Sequence, residues 1–215
     1  MVLSSTVCKE VKSDQNHKAI ADGLLTQGFC SISDYLNPAE CQNLTLEMEA
    51  LEKAGSFRPA YVGQGDKLQI AAKIRQSSLL WLSSNYAAQA SYKVKMAQLS
   101  NELNKQLFLG LRSSESFFAL YNPGDYYKIH WDNFQHLSPR KVTVVLYLNQ
   151  NWNPKDGGQL HLFAPDETTI IATVQPEAGT LACFLSGDFP HSVVVASRRR
   201  VAIPSWLRAD DPIIL

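Results

Sequence analysis

Tyr121-Asn122-Pro123-Gly124-Asp125-Tyr126-Tyr127-Lys128-Ile129-His130-Trp131-Asp132-Asn133 puts a histidine and a carboxylate two residues apart in a run that reads as a strand. Successive side chains of a strand point to opposite faces, so His130 and Asp132 project to one side and Trp131 to the other. A second imidazole, His191, follows Phe189-Pro190 at the head of the apolar run Val193-Val194-Val195. Proline fixes the approach of the chain there and has no amide hydrogen to leave unpaired. Two histidines and one carboxylate on one side of a metal ion leave three coordination positions open. That donor set suits a non-haem ferrous ion that must hold a co-substrate and dioxygen together.

Each of these residues also has an ordinary reading. A histidine standing by itself is most often a hydrogen-bonded structural residue. Asp132 changes the balance, because a carboxylate facing the inside of a strand-rich region costs free energy unless it is paired or metal-bound. The remaining histidines compete less well: His17 falls in an early helix, His136 in the loop after the metal strand, and His161 in a strand with no carboxylate nearby. Arg198-Arg199-Arg200 could be a solvated basic turn. Arg200, however, begins the last apolar strand and can point inward, where its planar fork would need a carboxylate partner. Arg198 and Arg199 are expected at the surface. Tyr147 shares a strand face with Thr143 and Val145, opposite Val144, Leu146 and Leu148, so its hydroxyl either meets a ligand or bonds to backbone. Gly157-Gly158 reads as a tight turn, since no helix start follows it to make a phosphate cradle.

The ordered set Tyr121-x-Pro123-Gly124, His130-x-Asp132-Asn133, Val142-Thr143, Tyr147-Leu148-Asn149, Gly157-Gly158, His191 and Arg200 resembles the prolyl 4-hydroxylase branch of the 2-oxoglutarate- and iron-dependent dioxygenases. Within that branch it is most similar to the oxygen-sensing HIF-type prolyl hydroxylases and their bacterial relatives. The similarity runs from about Lys18 to Leu207, with Gly28-Phe29-Cys30, Asp34-Tyr35-Leu36, the Leu51-to-Phe57 segment and Ile74-Arg75 fitting the pattern. The resemblance implies a mostly β fold with flanking helices, built on a double-stranded β-helix or jelly-roll core. It implies Fe(II) held by His130, Asp132 and His191, with 2-oxoglutarate and dioxygen as co-substrates and ascorbate as a further cofactor. Arg200 would pair with the distal carboxylate of 2-oxoglutarate, Tyr147 would hydrogen-bond the same group, and Tyr121 would be the second tyrosine beside it. Arg75, Trp206 and Arg140 would contact the substrate.

The reaction implied is hydroxylation of a prolyl residue coupled to decarboxylation of 2-oxoglutarate to succinate. A carboxylate at 132 argues against halogenation, where chloride needs that position. Two other readings stand beside it, a hydroxylase of a free amino acid or other small molecule and a metal-binding jelly-roll sensor without turnover. Two departures from the pattern bear on the substrate and the fold. Ile74-Arg75 is followed by Gln76-Ser77, where the oxygen-sensing enzymes carry glycine and an acidic residue, and Pro204 interrupts the last strand, where a lost ladder hydrogen bond predicts an end or a bulge.

Composition narrows the class. A chain of 215 residues, 45% of them hydrophobic, is long enough for one well-packed core and suits one domain. Twenty basic and twenty acidic residues leave no net charge, so no global field draws the chain to nucleic acid or an anionic membrane. Cys8, Cys30, Cys41 and Cys183 are widely spaced without a Cys-x-x-Cys pair, which favours reduced thiols. Neither a signal-like N-terminus nor a long apolar run is present, making cytoplasmic residence the expectation.

Along the chain, residues 1–14 read as a mobile tail and 15–215 as one domain, with helical support over 15–110 and the jelly-roll core over 116–207. A helix is expected from about Gln15 to Gln27, stopped by Gly28, then a short strand from Phe29 to Ile32. Asn37, Pro38 and Glu40 form a capping pattern for a helix whose inner face is Cys41, Leu44, Met48 and Leu51. A third helix, from about Asn85 to Phe108, is assigned the face Ala87, Ala90, Val94, Ala97, Leu99, Leu103 and Leu107. Ser56 to Leu80, with Gly63 and Gly65, is a candidate substrate-covering loop or hairpin. From Ser116 onward, eight short apolar runs at turn-separated spacing predict a sandwich or barrel.

Overall fold

Val142-Thr143-Val144-Val145-Leu146 has almost no polar alternation, which a strand sustains when both of its faces are covered. That coverage is what the fold provides. The computed structural model describes residues 4–60 and 74–210. Its helices are α1 (Ser4–Gln27), α2 (Pro38–Lys53) and α3 (Ala87–Leu107). The strands are β1 (Phe29–Ile32), β2 (Arg58–Pro59), β3 (Ser78–Trp81), β4 (Ser113–Tyr121), β5 (Tyr127–His130), β6 (Arg140–Tyr147), β7 (Leu160–Phe163), β8 (Ile170–Val174), β9 (Leu181–Leu185), β10 (His191–Val193) and β11 (Arg200–Arg208). They form a larger sheet ordered β1-β9-β6-β11-β4-β3-β2 and a smaller one ordered β5-β10-β7-β8. Neighbouring strands pair antiparallel throughout, the jelly-roll architecture expected from the sequence.

The larger sheet divides its side chains by parity. Phe118 and Leu120 of β4, Val144 and Leu146 of β6, and Val201 and Ile203 of β11 pack outward with the helices, against Leu44, Met96, Leu99 and Leu103 among others. The alternate residues, Val145, Tyr147 and Ala202, face inward and pack with Leu160, Leu162 and Val174 of the smaller sheet. One polar relay crosses the outer layer: the Tyr92 hydroxyl meets Ser205 Oγ at 2.9 Å, and Ser116 Oγ bonds Ser205 Oγ at 2.8 Å. It ties α3 to the centre of the sheet.

α2 starts as its sequence predicts. Asn37 Oδ1 accepts from the Glu40 amide at 3.0 Å, the Asn37 amide donates to Glu40 Oε2 at 2.9 Å, and Cys41, Leu44 and Met48 are buried. Gly28, just after α1, has φ +78°, and a Cβ there would lie 2.7 Å from Phe189, so both backbone and space require glycine.

Four expectations need correction or restriction. α1 begins at Ser4, so residues 4–14, read as a mobile tail, are helical, while residues 1–3 lie outside the described ones. Missing apolar period means only that a stretch has no face to bury; with no proline or glycine before Gly23, nothing stops an existing helix from extending through it. The buried face of α3 is Gln89, Tyr92, Met96, Leu99, Ser100 and Leu103, and Val94 is 57% exposed. Alanines carry little apolar area, and the large Tyr92 and Met96 decide how the helix turns. Pro204 neither ends nor bulges β11: it sits opposite Val145 in unbroken register with β6, and pairing to β4 resumes at Ser205 opposite Ser116. A strand tolerates one missing donor when the ladder on its other side is intact. β2 and β3 do pair antiparallel, but Gly63, Gly65 and the rest of 61–73 lie outside the described residues.

Cys30, Cys41 and Cys183 are free thiols. No described helix is long and apolar enough to cross a membrane. Replacing the cap, Asn37→Ala, is expected to lower unfolding stability by about 1 kcal/mol, since one helix-end amide loses its partner. Chemical denaturation checks this, and an unchanged midpoint would contradict the capping role.

Candidate metal centre

β5 and β10 are adjacent antiparallel strands, and His130 and His191 are direct cross-strand partners. Their rings lie 4.1 Å apart, centroid to centroid. The register shifts between His191 and Val193, an irregularity of the kind that re-aims side chains at site rims. β5 ends at His130, so Asp132 stands in the bend just beyond the strand that was expected to carry it, yet still reaches the same side. Its Oδ1 is 3.8 Å from His130 Nε2 and its Oδ2 is 3.4 Å from His191 Nε2. The three ligating atoms lie within 4.8 Å of one another, the span of a single ion's coordination shell.

The surrounding groups fix which atoms face the centre. His130 Nδ1 sits 2.8 Å from the Lys128 carbonyl and His191 Nδ1 sits 3.2 Å from the Phe189 carbonyl. Each Nδ1 therefore carries the proton and donates, leaving the Nε2 lone pair turned inward for a metal. Tyr127 stacks on the His130 ring at 3.5 Å, and Phe184 meets the His191 ring edge-on at 4.8 Å. Thr143 Oγ1 donates to Asp132 Oδ2 at 2.8 Å and also meets Ser186 Oγ at 2.8 Å. The buried Asn133 side chain locks the bend behind the carboxylate, donating to the Arg140 carbonyl and accepting from the Ser138 amide.

Burial, reinforced by His191, pushes the His130 pKa down to about 3, so the ring is the neutral imidazole a metal requires. For Asp132 burial pulls the other way, but His191 and then His130 outweigh it and hold the carboxyl below its ordinary value. The site thus presents two imidazole nitrogens and one anionic oxygen.

Further into the cleft, Arg200 is 1% exposed, with its guanidinium carbon 4.9 Å from the Tyr121 ring and 5.2 Å from the Tyr147 ring. Its Nε donates to the Gly158 carbonyl at 2.8 Å. Among the described residues no carboxylate pairs with it. The Tyr147 hydroxyl is buried without a hydrogen-bond partner, and burial pushes its pKa up to about 12 against the pull of Arg200. Arg200, Tyr121, Arg75 and Trp206 line, with the three candidate ligands, a cavity of about 460 Å³ counted to its open mouth. A cleft of about 810 Å³ between α2 and α3 contains no comparable cluster among the described residues.

The family model for the 2OG-Fe(II) oxygenase superfamily matches residues 116–208. A prolyl-4-hydroxylase from Pseudomonas putida is 36% identical, with a TM-score of 0.80, over 90% of this chain and 99% of that one. The chain belongs to the 2OG-Fe(II) oxygenase superfamily. A prolyl hydroxylase from Trichoplax adhaerens, solved with a hypoxia-inducible-factor oxygen-degradation-domain peptide, superposes with a TM-score of 0.84 at 26% identity over 96% of this chain and 94% of that one. Egl nine homolog 1 of Rattus norvegicus is 27% identical over 83% of this chain and 54% of its own length. The chain thus spans about half the length of that curated relative. Fe(II), 2-oxoglutarate and dioxygen are the cofactors of this oxygenase, and its His-Asp-His cluster fits the iron.

Of the residues singled out from sequence, the structure brings together His130, Asp132, His191, Arg200, Tyr121, Arg75 and Trp206 around one cavity, with Tyr147 behind Arg200, its ring 5.2 Å from the guanidinium. Arg140 does not line it; it stacks 3.4 Å over the Trp206 ring and pairs with Glu115. His136 is exposed beside Asp188, His161 packs by Phe163, and His17 meets the Tyr35 hydroxyl, so none joins the cluster. Arg198 and Arg199 are exposed. Two supporting roles went unread: Thr143 as the clamp on Asp132 and Gly158 as the acceptor that aims Arg200. A lone hydroxyl among valines and leucines was the available signal for the first. Asp132→Ala is expected to abolish iron binding in the micromolar range, read by metal content after gel filtration. Near-stoichiometric iron in the variant would contradict the three-ligand centre.

Proposed function

We propose that this oxygenase hydroxylates a prolyl residue in a protein or peptide, as a prolyl 4-hydroxylase, while 2-oxoglutarate is decarboxylated to succinate and CO2. The observation that carries the reading is the similarity to the Pseudomonas putida prolyl-4-hydroxylase, at 36% identity over 99% of that chain. The Trichoplax adhaerens enzyme adds weight, since its peptide complex supports a protein or peptide as the partner of this chain too. No observation specifically favours a free amino acid or a sensor without turnover.

Within this reading, His130, Asp132 and His191 would hold Fe(II). The ion, 2-oxoglutarate and dioxygen together supply the oxidising power that places one oxygen atom on the substrate. Arg200 would receive the distal carboxylate of 2-oxoglutarate: it is a buried fork-shaped cation with no counter-ion among the described residues, aimed by the Gly158 carbonyl. Tyr147 donates its otherwise unpaired hydroxyl to the same carboxylate, and Tyr121 walls the guanidinium from the other side. Leu160, Val193 and Ala202 line the cleft between the sheets and limit the water that can reach it. Thr143 holds the Asp132 carboxylate in place beside His130 and His191, where it would bind the metal.

Incubation with proline-containing peptides and with free amino acids, read by mass gain of one oxygen and by succinate, tests the assignment. Hydroxylated peptide is expected; oxygen gained only by a free amino acid would overturn it. For Arg200→Ala the expected result is a rise of more than about tenfold in the 2-oxoglutarate KM with iron binding largely retained. Tyr147→Phe should weaken 2-oxoglutarate by roughly tenfold, while the ligand-free protein becomes no less stable because an unpaired buried hydroxyl is removed. Calorimetric melting with and without 2-oxoglutarate separates the two effects. Unchanged co-substrate affinity in both variants would remove these residues from the role.

A further inference from the structure

Arg75 lines the cavity and is held there by backbone. Lys128 N donates to the Ile74 carbonyl at 2.9 Å and Gln76 N to the Tyr126 carbonyl at 3.0 Å, with Arg75 itself bridged to Tyr127. Its side chain, only 8% exposed, lies among the rings that surround the metal ligands. The guanidinium carbon is 4.9 Å from the Tyr127 ring, which stacks on His130, and 5.6 Å from the Phe117 ring. Nε donates to Ser77 Oγ at 2.8 Å. No carboxylate among the described residues pairs with it. The other buried arginine away from the co-substrate end, Arg208, shows the usual solution, with Glu115 and Asp210 both against it.

A buried cation without an anion is costly, and cation–π contact with two rings offsets only part of that cost. Charge accounting points the same way. In the loaded site, the charge on iron and on Arg200 is balanced by Asp132 and the two carboxylates of 2-oxoglutarate. Among the described residues, Arg75 is the surplus. A planar fork lining the cleft is built to take a carboxylate in paired hydrogen bonds.

We propose that Arg75 is the specificity residue of the substrate site and receives a carboxylate that the substrate carries close to its target proline. This rests on the prolyl reading and narrows it: preferred substrates are acidic at one flanking position, or end in a free carboxylate near the proline. The Tyr127 phenol, whose ring lies 4.9 Å from the Arg75 guanidinium carbon, can donate to the same anion. Lysine-flanked prolines are disfavoured by direct repulsion.

The test uses fluorescently labelled proline-centred peptides carrying Glu, Gln or Lys at each flanking position in turn, with free or amidated C-termini. Binding is measured by anisotropy to the full chain loaded with Mn(II) and 2-oxoglutarate under argon, so that no turnover intervenes. Glu at one position is expected to bind about tenfold or more tighter than Gln, the range for a hydrogen-bonded charge. Arg75→Gln should erase that preference and Arg75→Lys should keep part of it. Ser77→Asp, which supplies an internal carboxylate while leaving Arg75 in place, should erase it as well. Preference for the free over the amidated terminus, with no effect of Glu, would assign the terminal carboxylate as the source. Equal binding by Glu, Gln and amidated peptides, no binding by any peptide, or a preference surviving in Arg75→Gln would overturn the proposal. The same peptides are then run with Fe(II) in air. An Arg75-dependent preference without oxygen gain would sink the prolyl reading alone, and oxygen gain indifferent to peptide charge would sink the Arg75 assignment alone.

Discussion

The site depends on the register of β11 between β4 and β6. Every second residue of that strand faces the helices and every other one faces the cleft, so a slip by one position would exchange Arg200 and Ala202 for Val201 and Ile203. Apolar packing by itself resists such a slip weakly here, because both faces of the sheet are covered and both accept hydrophobic side chains. The relay Tyr92–Ser205–Ser116 breaks the degeneracy. Its hydroxyls lie in an otherwise apolar layer, and moving the strand would leave them unpaired at about 1–3 kcal/mol each. Asn149 acts at the other end of the strand, accepting from the Val201 amide at 2.6 Å and donating to the Val201 and Pro176 carbonyls. Arg200, the next residue, is thereby placed before its side chain makes any contact.

What could be read from sequence was whatever strand parity and the cost of burial control locally. His130 and Asp132 share a side by spacing, Arg200 begins an apolar strand, and Tyr147 falls on the Thr143 face; all of these follow from residues a few positions away. The clamp on Asp132 comes from Thr143, eleven positions on, and the acceptor for Arg200 is Gly158, forty-two positions back. No local period encodes such pairs. α3 was misread for a different reason. Its buried Gln89 accepts from the Ser83 amide, so a polar residue earns an inside position through a contact that hydrophobic periodicity does not register. Pro204 was misread because a proline's missing donor was weighed without knowing that the ladder on the β6 side continues past it.

Polar satisfaction in the cleft is one-sided. Groups that look back into the protein are paired: both histidine Nδ1 atoms with carbonyls, Asp132 with Thr143, Arg200 Nε with Gly158. Groups at the Arg200 end of the site are not. Among the described residues, the Tyr147 hydroxyl has no hydrogen-bond partner and no carboxylate pairs with the guanidinium of Arg200. A fold selected for stability alone would not keep such a set, since each unmet group costs free energy comparable to a lost hydrogen bond. The asymmetry makes sense if the missing partners arrive with the co-substrate, whose binding then stabilises the fold by mass action in proportion to how far its concentration exceeds its dissociation constant. The groups facing protein set geometry in advance, and the groups facing the cavity hold their interaction energy in reserve for the ligand. The His130, Asp132 and His191 cluster follows the same rule, with the far side of each side chain fixed by a hydrogen bond to the protein.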